Sequence, residues 1–421
     1  MEPKVILTNG LESFVEKEYD QDISPVSALI AGSPIEFQIP GSSIFYTSLA
    51  SSYFDVQCKI TRPDGTDLAA NAAVGPVNLL AHSLFSNIEL YINGKQVTEP
   101  THHYAYRAYL ETLINFSPTV QARRLRIEGW TMDLAGSFGV TNAHDGANTG
   151  LVARHNWFAL SRVVRFLFRP HLDLFHQDSD LPPNTDIRIR FIPNPSAFCL
   201  MATDNATAFQ MRITSIRLWL RTREMSSQCL LNHQSQLHTD YSYYIPMPCI
   251  RIKTLSIPVG SIRQEFDNVY LGKLPHRIIF AMVQDTHMNG TYNSNPFNFQ
   301  NFGISSLALR VNGELIPRIA YKPDFDADTT DYFREYLGTL SALDLDKDSQ
   351  NTFALTPAEW ASGSTFFAFK LFPNLSQYRP AGTVRIEIQF SQATGNLITI
   401  LLLSESTASI EIDKYKNILF N

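Results

Sequence analysis

An internal duplication constrains the fold of this chain more than any other feature of its sequence. The segment SNIELYINGK ends at Lys95, and the similar segment SSLALRVNGE ends at Glu314. Each copy places three alternating apolar residues before an Asn-Gly pair: Ile88, Leu90 and Ile92 in the first, and Leu307, Leu309 and Val311 in the second. Period-two alternation predicts half-buried strands, and Asn-Gly predicts a tight hairpin turn after each strand.

A second pair of matched segments follows the two turns. YRAYLETL occupies Tyr106–Leu113, and FREYLGTL occupies Phe333–Leu340. In both, apolar residues recur at the i, i+3, i+4 and i+7 positions of a helix with one apolar face. Thr329, Thr330 or Asp331 can cap the second helix. Chance similarity between two short helices is the alternative, but the shared order of strand, turn and helix favours duplication.

A third set of matches completes the repeat. Arg165–Pro170 (RFLFRP) resembles Ala368–Pro373 (AFKLFP), and Asp186–Phe191 (DIRIRF) resembles Arg385–Phe390 (RIEIQF). The latter two segments alternate with period two, which predicts a strand in each. The chain therefore contains two homologous β-rich halves.

Most other segments also have the pattern of short strands bounded by Pro, Gly, Asn or Ser. They are Ile35–Ile39, Phe54–Thr61, Met211–Thr222, Ile250–Ile257, Arg277–Val283 and Leu397–Leu403. Many short strands with few helices predict an all-β chain of sandwiches or barrels. We expect an N-terminal arm at 1–25, a first sandwich at 26–222, a connector at 223–248, and a second sandwich at 249–421 that ends in a C-terminal arm from about Asp413.

The halves differ in their long insertions. The stretch from Tyr109 to Pro170 is longer than its counterpart from Tyr336 to Pro373, and it contains Gly129, Gly136, Gly139, Gly146 and Gly150. A long glycine-rich excursion predicts an exposed loop. The second half has its own insertion at Pro317–Thr330, with Asp324, Asp326 and Asp328. Both insertions are predicted to lie on the outward or inter-subunit surface.

Composition restricts the function classes. Of 421 residues, 44% are hydrophobic, 12% are aromatic and only 18% are charged, which excludes a disordered chain and suggests that other subunits cover part of the surface. The net charge of −6 argues against non-specific coating of nucleic acid. The N-terminus has no signal-peptide pattern, and the longest apolar stretch, Leu397–Leu403, is too short for a membrane span.

The cysteines have no metal-binding or redox spacing. Cys58, Cys199, Cys229 and Cys249 are far apart and form no CxxC motif. Two disulfides are one alternative, but we favour buried free thiols in a reducing compartment.

Catalytic motifs are absent from the sequence, and no catalytic, cofactor or metal site is predicted. The chain has no HExxH, GxxxxGK[ST], GxSxG or GxGxxG motif. Asp344, Asp346 and Asp348 mimic the start of a calcium loop, but Ser349 and Leu355 occupy its required Gly and Glu positions, so a solvated acidic loop is favoured. His102-His103 is a poor chelate, and the other histidines singled out, without ligand spacing, are His82, His171, His176, His276 and His287.

The ordered set of segments resembles one protein family. HSLFSNIELYINGK is followed by YAYRAYLETL, NPSAFCLM, YLGKLPHRIIFAMV with NGTYNSNPFNF, and SIEID. Over His82 to Asp413, this series is similar to the hexon-type double jelly-roll major capsid proteins of Polinton/Maverick elements and adintoviruses. The resemblance implies two tandem eight-stranded antiparallel jelly rolls with short helices in their loops, three chains in a pseudo-hexameric capsomer, an icosahedral shell and no catalytic residues.

We therefore expect a structural protein of the virion capsid, made in the host cytoplasm or nucleus and not secreted. Its expected partners are two further copies of itself, neighbouring trimers, penton and minor capsid proteins, and an enclosed double-stranded DNA genome without sequence-specific contact; an inner membrane stays an open question. The alternatives are a copper-dependent monooxygenase on a similar tandem sandwich and a glycan-binding β-protein. For copper, the sequence lacks His and Met ligand sets.

The arginines allow two interpretations. Arg217, Arg221 and Arg223 share a strand face with Trp219, and Arg188 and Arg190 lie on another polar face. They form either a charged sandwich exterior or ion pairs between neighbouring domains, which we favour, or a surface that touches the phosphates of an enclosed genome. The same alternatives apply to Arg123, Arg124 and Arg126.

Overall fold

A computed structural model of the chain describes residues 4–6, 14–203, 205–238, 242–326, 329–346, 353–372 and 381–420. The strands up to the middle of the chain are β1 (Lys4–Ile6), β2 (Val15–Ile23), β3 (Ile35–Ile39), β4 (Phe45–Thr61), β5 (Val74–Pro76), β6 (Phe85–Ile92), β7 (Lys95–Gln96), β8 (Val164–Phe168), β9 (Ile187–Pro193), β10 (Leu200–Ala202) and β11 (Gln210–Met225). The remaining strands are β12 (Ser242–Ile257), β13 (Arg263–Lys273), β14 (Arg277–Gln284), β15 (Ile304–Val311), β16 (Glu314–Tyr321), β17 (Phe366–Lys370), β18 (Ala381–Phe390), β19 (Ile398–Ile412) and β20 (Ile418–Phe420).

The first half is a sandwich of two four-stranded antiparallel sheets, in the orders β2-β11-β4-β8 and β3-β9-β6-β7. The second half repeats this arrangement with β12-β19-β14-β17 and β13-β18-β15-β16. Its first sheet is extended to six strands by β1, which pairs in parallel with β12, and by β20, which pairs with β19. Numbered within its own half, each sandwich pairs its strands as 1-8-3-6 and 2-7-4-5, which is the jelly-roll arrangement. The predicted fold class, two tandem eight-stranded jelly rolls, is confirmed.

The Asn-Gly turns that revealed the duplication have the same geometry in both halves. Asn93 and Gly94 have φ angles of 49° and 78°, and Asn312 and Gly313 have 51° and 90°. The side-chain oxygen of each asparagine also accepts a hydrogen bond from the backbone N–H of a residue far along the chain. The donor is Asp186 in the first half and Thr383 in the second, both at 2.9 Å. The positive φ angles explain why Asn-Gly occupies both turns.

The helices are short and lie in the connections between strands. They are α1 (Leu80–Ser83), α2 (Tyr104–Asn115), α3 (Pro118–Arg123), α4 (Thr149–Phe158), α5 (Ser196–Cys199), α6 (Ser227–His238), α7 (Asp285–Met288), α8 (Phe333–Ala342) and α9 (Pro357–Ala361). The two predicted helices are α2 and α8, and each lies between the fifth and sixth strands of its sandwich. The predicted cap of α8 is wrong, because its N-cap residue is Tyr332, which makes no side-chain capping bond; the backbone carbonyl of Thr330 instead accepts from Phe333 N.

The segment boundaries differ from those expected. The predicted arm at 1–25 contains β2, the first strand of the first sandwich. The strand has no apolar pattern in its sequence, and its side chains instead form ion pairs with arginines of β11. The predicted connector at 223–248 contains the end of β11, α6 and the start of β12. In the predicted C-terminal arm, β20 folds back on β19.

The apolar core is continuous across the two sandwiches. One cluster of buried side chains joins Phe54 and Phe191 of the first half to Phe280 and Ile388 of the second. Within each half, the inward residues of facing strands fill the space between the sheets. The two sandwiches therefore share buried apolar contacts in addition to the chain that connects them.

Candidate assembly surfaces

The contact between the two sandwiches, here called the seam, is a feature that the duplication alone does not predict. Its centre is aromatic. The ring of Tyr109 on α2 stacks on Phe297 of the second half, with centroids 4.2 Å apart and planes within 5°. Tyr106 packs edge-on against Phe297 and against Phe198 of the first half. Offset and edge-to-face rings add attraction beyond the buried area, so α2 holds the β14–β15 loop firmly.

A buried polar cluster lies beside these rings. Arg154 on α4 and Asp133 form an ion pair with an Nη2–Oδ1 distance of 2.6 Å, and neither side chain is exposed. Asn148 and, from the second half, Asn295 donate to the two carboxylate oxygens of Asp133, at 2.9 and 3.0 Å. A buried charge pair is tolerated when its remaining atoms are also bonded, and Asn295 supplies one such bond across the seam.

Arg107 on α2 connects the first half to strand β12. Its Nε donates to Glu111 Oε1 at 2.7 Å, and its Nη1 donates to the backbone carbonyl of Ile250 at 3.2 Å. Asp173 accepts from Arg107 Nη2 and from the backbone N–H of Ile250. Both backbone groups of Ile250 therefore bond to the first half. They are not available for pairing with a further strand at this position of β12.

Glu111 is held ionised inside this network. Burial alone would raise its pKa, but the guanidinium of Arg107 and a hydrogen bond from the ring of His171 at 2.6 Å lower the pKa to about 2. The carboxylate is almost fully buried, so its charge depends on these two partners.

His82 on α1 is buried and neutral under the same helix. Burial lowers its pKa from the ordinary value near 6.5. Its Nδ1 lies 2.8 Å from the Tyr104 hydroxyl and its Nε2 lies 3.0 Å from Glu128 Oε2. With the carboxylate accepting from Nε2–H, Nδ1 accepts from the hydroxyl, so both ring nitrogens are satisfied.

A partly open pocket of about 270 Å³ lies in the seam and is lined by both halves. Tyr104 and Arg107 line it from one side, and Cys249 and Ile252 line it from the other. Phe420 of the C-terminal segment also lines the pocket. This segment is attached to the first half, since the Asn93 amide donates to the Lys416 carbonyl at 3.0 Å and Lys95 Nζ donates to the Ile418 carbonyl at 2.9 Å.

The predicted arginine face is occupied by ion pairs within the first sandwich. Arg221 bonds to Asp20 and Glu18 at 2.6 and 2.7 Å, and Arg223 bonds to Glu18 and Asp180 at 2.8 and 3.1 Å. The further pairs of this face and its neighbour are Arg217–Asp22, Arg188–Glu36 and Arg190–Glu89. The geometry favours the ion-pair interpretation over the phosphate-contacting one. These pairs join strands of one sandwich, not neighbouring domains.

The other sequence candidates do not converge on a site. Asp344 pairs with Arg277 and Lys370, and Asp348 lies outside the described residues, as does Asp328. Among the described residues no group of three His, Cys, Asp or Glu side chains could hold a metal ion. Arg124 lies over the ring of Phe116. His102 is exposed, and His171 and His82 belong to the seam networks.

The four cysteines are all buried and free, as predicted. Burial raises the pKa of the Cys199 thiol to about 12, so it stays protonated and unreactive near neutral pH. None of the helices in the described ranges is long and apolar enough to cross a membrane.

Sequence reasoning missed the seam residues and misplaced one loop. The glycine-rich excursion was expected to be an exposed loop, but Trp130, Asp133, Phe138 and Asn148 in it are buried. It packs against the second half, where Gly136 N donates to the Ser362 carbonyl. Aromatic and polar residues scattered through a loop carry no periodic pattern, so the sequence offered no signal for this packing.

No protein-family model matches the chain. An uncharacterized Caenorhabditis elegans protein, F54H12.2, is 21% identical over 399 residues, which is 91% of this chain and 92% of that protein.

Solved structures match over nearly the whole length. A chain of the Sputnik virophage has a TM-score of 0.64 at 11% identity, covering 100% of this chain and 90% of that chain. VP54 of the virus PBCV-1 has a TM-score of 0.58 at 10% identity, with 96% of each chain covered. The mavirus major capsid protein has a TM-score of 0.55 at 11% identity, with 100% and 92% covered. At these identities the likeness establishes the double jelly-roll fold.

Proposed function

We propose that this chain, which has the double jelly-roll fold found in viral major capsid proteins, is itself a structural major capsid protein. Three copies would form a pseudo-hexameric capsomer, and capsomers would tile an icosahedral shell. The observation that carries the proposal is the combination of two complete jelly rolls, a buried seam between them and full-length similarity to capsid chains.

The seam supports this function because it makes the two sandwiches one stiff building block. Stacked rings, a buried ion pair and backbone bonds at Ile250 act together across it. A shell subunit must keep its two sandwiches at a constant angle to meet identical neighbours, and closely packed interiors resist deformation. This gives the low charge fraction and high aromatic content of the sequence a structural use.

Uncovered apolar side chains supply surfaces for assembly. Val26 and Ile30 are exposed on the first half, and Ile319 and Leu337 are exposed on the second. Each is more than half exposed, and exposed apolar side chains on both sandwiches support association with further copies.

The domain division also remains a proposal, with revised limits. We place the first jelly roll at about 14–225, the connector around α6, and the second jelly roll from 242 to 420. The proposed partners are further trimers, penton and minor capsid proteins, and an enclosed double-stranded DNA genome. The arginines of β11 already have carboxylate partners. This supports a shell that encloses the genome without binding its phosphates through these arginines. The proposed location is the virion capsid, and we propose no enzymatic role.

Mass measurement in solution tests the proposal. We expect the purified chain at micromolar concentration to have three times its monomer mass of 47.5 kDa, and electron microscopy to show particles with a pseudo-hexagonal outline. A stable 47.5 kDa monomer under these conditions would contradict it.

A further inference from the structure

Four arginines beside strand β8 differ from those of β11 in having no carboxylate partner. They are exposed and are here called the β8 patch: Arg123, Arg124, Arg126 and Arg169. In the part of the chain that the structure describes, no Asp or Glu lies within ion-pairing distance of them. Arg217, Arg221 and Arg223 of β11 each have at least one such partner. The patch therefore carries positive charge that no ion pair with a described residue neutralises.

The local structure of the chain places three of these arginines on the surface. Helix α3 ends at Arg123, and a short 3₁₀ turn covers Arg124–Glu128. Residues three apart in a 3₁₀ turn lie on the same side. Leu125 and Glu128 form the inner side, since the first is fully buried and the side chain of the second is 13% exposed. The other positions of the turn, which include two of the arginines, therefore face solvent.

Strand β8, an edge strand of its sheet, leads into the fourth arginine. Phe166 and Phe168 of β8 are buried, and alternation along the strand directs Arg165 and Arg169 outward. Arg165 forms an ion pair with Asp55 of β4. Arg169 has no such partner among the described residues.

Contacts beneath the turn bring it next to Arg169. His82 Nε2 lies 3.0 Å from Glu128 Oε2, and the centroid of the same ring lies 5.1 Å from that of Phe168. Glu128 ends the turn, and Phe168 directly precedes Arg169. One buried histidine therefore connects the two parts of the patch.

The proximity of two guanidinium groups in the patch is electrostatically unfavourable. Partial burial and repulsion from Arg124 lower the pKa of Arg169 below its usual range, and attraction to Glu128 offsets this only in part. Arginine nevertheless stays charged near neutral pH. Like charges held close together without a carboxylate between them favour the binding of an anion.

The chemistry of the patch suits phosphate groups. The N–H groups of a guanidinium form a planar fork that matches two phosphate oxygens. Arg124 lies over the ring of Phe116 at 5.1 Å, and this stacking uses the face of the guanidinium and leaves its N–H edge for an anion. Four exposed guanidinium groups fit the closely spaced phosphates of a duplex better than they fit a single carboxylate.

We propose that the β8 patch binds the phosphate groups of duplex DNA without reading its sequence. Identifying this DNA as the enclosed genome rests on the proposed capsid function, whereas phosphate binding by the patch does not. One patch should bind weakly, with a Kd on the order of 10⁻⁴–10⁻⁶ M, and the net charge of −6 confines binding to the patch. A shell would present the patch many times, so weak contacts would add up along one DNA molecule.

Fluorescence anisotropy of a labelled short duplex, titrated with the full chain, tests the proposal. The wild type should bind two duplexes of unrelated sequence with the same Kd within about twofold, and binding should weaken as salt rises from about 50 to 200 mM. Arg126→Ala combined with Arg169→Ala should raise the Kd at the lower salt concentration at least tenfold. The slope of log Kd against log salt should fall by about 2, because two phosphate contacts are lost.

A matched variant removes the same charge from arginines that have carboxylate partners. Arg190→Ala combined with Arg217→Ala also removes two positive charges, and these arginines form ion pairs with Glu89 and Asp22. This control should change the Kd less than twofold. Circular dichroism and thermal unfolding of both double variants check that each remains folded.

Four results would overturn the inference. They are no binding of the duplex by the wild type at about 50 mM salt, and equal weakening in the two double variants, which would show an effect of net charge alone. The others are binding of poly-glutamate as tight as that of the duplex, and binding of phosphatidylserine-containing vesicles without binding of the duplex. These would assign the patch to an acidic protein or to lipid headgroups.

Mass measurement of the same samples separates this inference from the proposed function. A trimer that does not bind the duplex would overturn the inference and leave the capsid proposal standing. A monomer that binds the duplex through the β8 patch would overturn the capsid proposal and leave the phosphate-binding surface standing.

Discussion

Arg107 is a buried charged residue at the seam, and one of its hydrogen bonds crosses to the second half. It bonds to Glu111, to Asp173 and to the Ile250 carbonyl. Burying these charges costs desolvation free energy that their mutual attraction only partly offsets, so the network itself is weak grounds for high stability. Removing one member of the network should lower the free energy of unfolding strongly, because the remaining groups are then charged and buried without that partner.

Glu111→Gln should therefore destabilise the full chain and change its acid sensitivity. The pKa of Glu111 falls from 4.5 to about 2 on folding, which corresponds to about 3 kcal/mol of stability at neutral pH. A lowered carboxyl pKa contributes stability above the unfolded value, and this contribution is lost as the pH falls from about 4.5 towards 2. The variant should be less stable than the wild type by about 3–5 kcal/mol at pH 7. It should also lack the part of the stability loss at low pH that comes from protonation of Glu111.

Urea unfolding from pH 7 down to pH 3 measures both effects. Glu16→Gln, at an exposed position on β2, is the control and should retain wild-type stability within about 0.5 kcal/mol. Equal stability of Glu111→Gln and wild type at pH 7 would show that the network does not hold the seam.

At the scale of elements, the loop between β14 and β15 approaches the first half at Gly290. This glycine has φ +80°, and a Cβ there would lie 2.6 Å from the Cα of Phe198. Gly272 has a similar φ of +89°, but a Cβ there would meet nothing within 4 Å. The two positions therefore share the backbone conformation and differ in the close approach.

Gly290→Ala should cost more than Gly272→Ala. Left-handed backbone strain costs about 1–2 kcal/mol at either site, and forcing the loop away from Phe198 adds roughly 1–3 kcal/mol at Gly290 alone. Thermal unfolding of both variants measures the difference. Equal losses would mean that the loop moves away without cost and that the seam is loose there.

Periodicity explains which elements the sequence predicts. β6, β15 and the two helices have clear alternation or a clear apolar face, and each was predicted at its place. β2 has the sequence VEKEYDQDI, in which charged residues occupy most positions, so no apolar pattern marks it as a strand. Its position depends on arginines about two hundred residues later, on β11, and such pairing over long sequence separation is invisible to local patterns. The seam residues were missed for the same reason.

At the scale of the whole molecule, the continuous core predicts one unfolding unit. Because the buried cluster spans both sandwiches, neither can unfold without exposing apolar surface of the other. Calorimetry of the full chain should show a single transition, whereas two resolved transitions in the wild type would contradict a coupled core.

Two phenylalanine truncations test that coupling. Phe297→Ala removes the ring stacked across the seam, and Phe37→Ala removes a ring buried inside the first sandwich. Each should cost about 3–5 kcal/mol. The seam variant should broaden or split the transition, whereas the core variant should only lower its temperature.

The fold of the whole molecule was predictable because duplication and family resemblance both report on the entire chain. Two jelly rolls with the same strand order are present as expected. Local pairing and long-range packing decide the rest, including the angle between the sandwiches, and these depend on contacts such as Tyr109 with Phe297 that no repeat or period encodes.

The joining of both sandwiches in one polypeptide has a consequence for the kinetics of assembly. The proposed pseudo-hexameric capsomer contains six sandwiches in three chains. Three of the six contacts between neighbouring sandwiches form inside the chains as they fold, so two encounters between molecules complete a capsomer instead of the five that six separate sandwiches would need. The covalent link removes three encounters. Each of them would cost about 4–15 kcal/mol of free energy through lost translational and rotational freedom. Formation of the proposed capsomer then depends on the third power of protein concentration rather than the sixth, which favours its completion while the protein is still dilute.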